Sequence, residues 1–340
     1  MRPAAWCALA AAGALLAAAQ LGGEAGAQET LSKLARSPGF LSCVTALEFG
    51  VRADAAEVYV PRAAAAARDE DAAEPQSESV YVPSVPENTA PVLSAPDKAA
   101  TLTINNDTDY DVDVAACLAS DTHILAEGDG PQVLVFHTHA SESYTPDAAF
   151  PYTPTETERT TDTRYNVVRV GDELCTALEK RGIETLHLRS LFDTPTYSGS
   201  YDRSLAAIEQ ALEENPSVKV VIDLHRDSIL TDEGEAYKTS CTINGEETAQ
   251  LMLVVGTDDG GLYHPDWRDN LNFVSTLQYA LNRAYPSLMR PVNLRTQRFD
   301  QHASPGSLLV EVGSSGNTLP EALSAVRLFA DVLADEMIGA

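Results

Sequence analysis

Apolar positions along the chain fall into two rhythms. The unbroken apolar run Val133-Leu134-Val135-Phe136 and the mostly apolar stretches 218–224 and 307–312 suit strands covered on both faces. Between them the apolar spacing lengthens to three and four, predicting amphipathic helices over 167–178, 205–212 and 269–285, and a closing helix from Pro320 onward. Gly182, just past the first of these, suits a helix end. Residues 183–188 read as another strand, and 242–255 as a hairpin turning at Asn244-Gly245. Strands alternating with helices predict an α/β domain over residues 131–340, with a mostly parallel twisted sheet flanked by helices. Sites in such sheets gather outside the carboxyl ends of the strands.

Upstream the rhythm fades. Leu102 and Ile104, then Val112 and Val114, alternate around Asn105-Asn106-Asp107 and predict a small hairpin, so 101–130 reads as a short β segment leading into the domain. Residues 28–100 are built mainly from Ala, Pro, Ser and acidic side chains. Such a stretch buries too little apolar surface to offset its ordering entropy and reads as a disordered acidic linker. At the start, Arg2 precedes an uncharged Ala/Leu run, and Ala25-Gly26-Ala27 offers a small-residue cleavage site. Residues 1–27 therefore read as a signal peptide, or as a membrane anchor of about 20 weakly apolar residues if retained. Either way the remainder is expected outside the cytoplasm.

Charge narrows the partners. With 23 Lys and Arg against 50 Asp and Glu, the formal net charge is −27. A chain that acidic lacks the clustered cations that neutralise phosphates, so nucleic acid is excluded as a partner, as is an anionic lipid surface held by a basic patch. The five cysteines form no C-x-x-C pair. They read as small buried side chains, with Cys43–Cys117 the pair an oxidising compartment would bridge.

The chemistry stands at the strand ends. Val133-Leu134-Val135-Phe136 runs into His137-Thr138-His139-Ala140-Ser141-Glu142, the strand at 218–224 into His225-Arg226-Asp227, and Leu308-Leu309-Val310 into Glu311. Of only 7 histidines, His137, His139 and His225 all follow buried strands. His139 and Glu142, three apart in a turn, can face one ion, and His225 completes a three-ligand site with a fourth position open, the arrangement of catalytic zinc. His137 competes with His139 for that role. Glu311 is the candidate general base, since a carboxylate ending an apolar strand is costly to desolvate without a purpose or a partner. Asp227 is the candidate to orient a ligand histidine, and Arg226 the candidate partner or substrate contact. The same ion and base suit a zinc carboxypeptidase or endopeptidase. A non-catalytic binding scaffold would have lost one of these groups. Gly313-Ser314-Ser315-Gly316 lacks the nucleophile-elbow pattern of serine hydrolases.

Taken together, His137-Thr138-His139-Ala140-Ser141-Glu142-Ser143-Tyr144, Asn166-Val167-Val168-Arg169-Val170-Gly171-Asp172, Tyr201-Asp202-Arg203-Ser204, Asp223-Leu224-His225-Arg226-Asp227, Leu309-Val310-Glu311-Val312-Gly313 and Asn317-Thr318 resemble the stage II sporulation protein P family. The resemblance covers residues 133–333. It implies an amidase_3-like fold and a zinc-dependent N-acetylmuramoyl-L-alanine amidase, with endopeptidase activity on cross-linked stem peptides of peptidoglycan. It also implies septal wall remodelling during engulfment alongside the sporulation D protein, a lytic transglycosylase, and the sporulation M membrane protein. His139 or His137, Glu142 and His225 then correspond to the metal ligands, Glu311 to the catalytic carboxylate, and Asn166 and Gln301 to supporting or substrate-contacting positions. Where the family commonly has Asn-Gln, this chain has Asp300-Gln301.

Overall fold

The computed structural model describes residues 102–339 apart from Glu156 and Glu233. The leader and linker expected over residues 1–100 lie outside the described residues. Seven strands form one sheet in the order β1-β8-β7-β9-β4-β2-β3. They are β1 (Ile104–Asn106), β2 (Val133–Phe136), β3 (Thr185–His187), β4 (Val220–Asp227), β7 (Leu251–Gly256), β8 (Val292–Arg295) and β9 (Ser307–Ser314). β9, β4, β2 and β3 run parallel, as do β1, β8 and β7, and the antiparallel β7–β9 pair joins the two blocks. The sheet is mixed and mostly parallel, flanked by helices. The Asn244-Gly245 hairpin forms as expected, β5 (Ser240–Ile243) against β6 (Glu246–Ala249), with both turn residues at positive φ, +53° and +83°.

Helices cover both faces. α2 (Val167–Lys180), α4 (Trp267–Ala284) and α5 (Leu319–Ile338) share one core with Val133, Val135, Leu224, Leu253 and Val310, whereas α3 (Ser200–Glu214) packs Ile208 and Ala211 against Leu134, Phe136 and Val221 on the other face. Residues of one strand thus alternate between the two cores, as the pleat requires. Thr318 and Glu321 close a capping box on α5 with Pro320 in its first turn, which satisfies backbone N–H groups a helix start leaves orphaned. Among the described residues, no helix is long and apolar enough to cross a membrane.

The hairpin expected at 101–117 is a correction. Ile104–Asn106 is instead an edge strand paired with β8, and Val114–Ala119 is a short helix, α1, whose N-cap Asp113 accepts a hydrogen bond from Ala116 N at 3.1 Å. Leu102, Cys117 and Leu118 enter the main core, so this segment is continuous with the domain. Cys117 is a buried free thiol, and Cys43 lies outside the described residues.

Candidate metal centre

The three chemistry-bearing strands, β2, β4 and β9, are sheet neighbours running in one direction, so their ends open at the same edge. Register settles which face each side chain takes. Phe136 pairs with Asp223, and His225 with Glu311. Asp223, His225 and Glu311 alternate with residues of the α2 core and therefore face the α3 side. Past Phe136 the chain turns: Glu142 N donates to His139 O at 3.0 Å, which brings positions three apart together.

The outcome is a tight cluster. His139, Glu142 and His225 each offer one ligand atom, all within 4.8 Å of one another, and all three side chains are buried. His225 Nδ1 lies 3.3 Å from Glu142 Oε2, and His139 Nδ1 lies 3.7 Å from Glu142 Oε1. Two imidazoles and a carboxylate at such separations fit a tetrahedral ion with bonds near 2 Å. Buried polar atoms without partners mark the same place, His139 Nε2 and Glu311 Oε2 among them.

Electrostatics agree with a site built for a cation. Burial pushes the His139 imidazole down to about 3, with His225 adding to the effect, so it stays neutral with a lone pair to offer. Burial works against a charged His225 as well, but the carboxylates of Asp223 and Glu142 override it and hold the ring well above its usual value. Burial likewise opposes the Glu142 carboxylate, yet His225, Arg226 and Arg159 hold it well below the usual range. Burial pushes Glu311 the other way, up to about 8, with Asp227 adding and His225 opposing. The two carboxylates are thus driven apart, one a ligand-like anion and the other a proton holder. Glu311 is partly exposed, with Oε2 buried, and pairs with neither Arg226 nor Arg295, since Arg226 is spent on backbone carbonyls and Arg295 sits beside Asp107.

Several expected roles change. His137 follows Val133 and Val135 to the α2 face, where Nδ1 meets Leu224 O at 2.7 Å and Nε2 meets His187 Nε2 at 2.8 Å, so it stands apart from the cluster. Gly171 of α2 makes room for that pair, because a Cβ there would lie 2.7 Å from both ring nitrogens. The carboxylate beside His225 is Asp223, with Oδ1 2.8 Å from His225 Nε2 although off the line of a straight hydrogen bond. Asp223 is itself gripped by the Thr138 amide and hydroxyl at 2.9 and 2.7 Å. Asp227 instead pairs with Arg290 at 2.7 Å, beyond a bulge in the β4–β9 ladder. Arg226 is a buried brace: its amide donates to Glu142 Oε2 at 3.2 Å, and its guanidinium to the carbonyls of Ser143, Thr157 and Glu158. Asn166 caps α2 by accepting from Val168 N at 3.0 Å, and Gln301 bridges Val254 O and Gly256 N, so both are occupied structurally.

The sequence reading missed Arg159 and Tyr197 at this edge and gave no role to Ser204 and Asp300, although both stand in the motifs quoted above. Arg159 reaches 3.5 Å from Glu142 Oε1 and 3.3 Å from Asp193. Tyr197 stacks on His139. Ser204 Oγ lies 3.1 Å from Thr138 Oγ1 and 2.6 Å from Asp300 Oδ2, extending the Asp223 network to Asp300. Burial pushes Asp300 up to about 7, against the Ser204 hydrogen bond.

Fold and centre together define an α/β protein with a buried His-Glu-His cluster able to hold a metal ion and a glutamate of raised proton affinity at one sheet edge. The family profile "Stage II sporulation protein P" matches residues 55–334, and the chain belongs to that family. It is 29% identical to stage II sporulation protein P of Bacillus subtilis (strain 168) over 219 residues, 61% of this chain and 51% of that protein, so it spans about half the length of the curated relative it matches. Among solved structures, N-acetylmuramoyl-L-alanine amidase AmiC2 of Nostoc punctiforme shares 11% identity at a TM-score of 0.35, covering 62% of this chain and 98% of that one. The catalytic domain of CwlV, an N-acetylmuramoyl-L-alanine amidase from Bacillus (Paenibacillus) polymyxa var. colistinus, shares 9% identity at 0.35, covering 61% and 97%.

Proposed function

We propose that this protein is a zinc-dependent peptidoglycan hydrolase that cleaves the amide between N-acetylmuramic acid and L-alanine. It acts outside the cytoplasm in septal wall remodelling during sporulation, with the sporulation D and M proteins as partners. The observation that carries the reading is the convergence of His139, Glu142 and His225 within 4.8 Å on the strand-end edge that also presents Glu311. Family membership supports the sporulation setting.

His139, Glu142 and His225 would hold the ion, which when bound supplies a Lewis acid for the scissile carbonyl and a more acidic attacking water. Glu311 does the proton work. Its raised proton affinity suits a base that accepts a proton from water and returns it to the leaving nitrogen as the C–N bond breaks. Water thus adds its hydroxyl to the carbonyl carbon and its proton ends on the amine. Arg226 keeps Glu142 aimed through its backbone N–H, and Asp223 holds His225 from behind.

The experiment is digestion of intact sacculi by the purified full chain, with and without prior chelation, followed by identification of the new ends. Free muramic acid termini that vanish with the metal are the expected result. New peptide termini alone would replace the amidase reading with an endopeptidase, and no new ends would leave a wall-binding scaffold.

A further inference from the structure

The hydrolytic reading leaves the Tyr201-Asp202-Arg203-Ser204 motif unused. Arg203, early in α3, spreads its fork of donors across the loop 192–199: Nε donates to Phe192 O at 2.6 Å, NH1 to Ser198 O at 3.1 Å and NH2 to Thr196 O at 2.5 Å. The start of that loop is tied to the His139–Glu142 turn, since Asp193 accepts from Ser141 N at 3.0 Å. A loop anchored at both ends carries Tyr197 to the centre. Its ring stacks on His139 with centroids 4.3 Å apart and planes at 22°. Its hydroxyl stands 3.3 Å from His139 Nδ1, the nitrogen that also turns toward Glu142. The Arg159 guanidinium carbon lies 5.0 Å from the ring centroid.

Beside the Lewis acid, a hydrogen-bond donor aimed where the carbonyl oxygen gains charge speeds amide hydrolysis further. The cationic donors at this edge are committed, Arg226 to three carbonyls and Arg159 to Glu142 and Asp193. A phenol hydroxyl turns about its C–O bond without moving the ring, and Tyr197 keeps partial exposure at the mouth of the cluster. We propose that Tyr197 is a further catalytic residue of this centre, its hydroxyl donating to the oxygen of the scissile amide as negative charge develops there, and that Arg203 is the positioning residue for its loop. The proposal rests on the hydrolase reading above.

The test compares the full-length wild type with Tyr197→Phe, Arg203→Lys and the double variant. Phe keeps the stack and removes only the hydroxyl. The expected result for Tyr197→Phe is a kcat lower by about 10²- to 10³-fold, the cost of one such donor, with KM within about threefold. Arg203→Lys moves the same way by less, and the double variant is no worse than Tyr197→Phe. Two readouts do not depend on turnover: zinc affinity against a chelating dye stays within about threefold, while affinity for a phosphinate isostere of the amide falls about as far as kcat. An unchanged kcat in Tyr197→Phe overturns the proposal alone. So does a parallel loss of zinc affinity, which would make the residue a brace for His139. A wild type that cleaves no amide overturns the hydrolase reading and this proposal with it.

Discussion

Asp300 is a carboxyl held where a carboxylate is disfavoured, and its replacement by Asn has a calculable consequence. The side chain is buried, accepts from Ser204 Oγ at 2.6 Å, and titrates near 7 rather than the ordinary 3.8 because of that burial, with Asp223 adding to it. The folded state therefore binds this proton more tightly than the unfolded chain. Below pH 3.8 both states carry it and nothing is lost; as pH rises toward 7 the unfolded chain ionises freely, and the folded state falls behind. A shift of about 3 units at about 1.4 kcal/mol each makes the full loss about 4 kcal/mol above pH 7. Asn still accepts from Ser204 Oγ through its amide oxygen, as the acid accepts through Oδ2, but never ionises. Urea unfolding of wild type and Asp300→Asn, followed by circular dichroism between pH 5 and pH 8, should show the variant gaining on the wild type by about 2.5 kcal/mol over that interval. A difference that stays flat within about 0.5 kcal/mol would refute the raised proton affinity and the buried network behind it.

Other outcomes follow from the centre itself. Glu311→Gln should keep metal at wild-type stoichiometry and lose about 10²- to 10⁴-fold in hydrolysis, as expected for a lost proton carrier. Full activity there would remove Glu311 from the chemistry. His139→Gln and His225→Ala should abolish metal retention after dialysis, whereas His137→Gln should keep it, because His137 faces α2 rather than the cluster. Because His225 holds its proton well above the usual range, metal loading near neutral pH should release about one proton. Calorimetry in buffers of different ionisation enthalpy measures this, and loading should weaken as pH falls.

Much of the molecule was legible in one dimension. The apolar runs marked β2, β4 and β9, the spacing of three and four marked α2 to α5, and Asn244-Gly245 marked its hairpin. Local signals failed where an element is short or its partner distant. β1 and β8 have three and four residues and pair with each other from opposite ends of the domain, so the alternation near Ile104 named a strand but not its distant partner. Asp113, which caps α1, was a helix-start signal inside a stretch that otherwise alternated like a strand. Gln301 and Asn166 were legible as polar residues in family motifs, but their hydrogen bonds go to backbone groups.

By itself the sequence determined that three histidines and two glutamates stand at strand ends, because local periodicity and the residue following each apolar run are properties of neighbours along the chain. Tertiary structure alone decided which of them meet. The pairing of Phe136 with Asp223 and of His225 with Glu311 fixes the face each side chain takes; it turned His137 toward α2 and brought Asp223 rather than Asp227 to His225, while the loop tied by Asp193 and Arg203 laid Tyr197 over His139. A shift of one residue in a strand reverses every side chain on it. That choice is made by packing both sheet faces at once, which no single segment encodes.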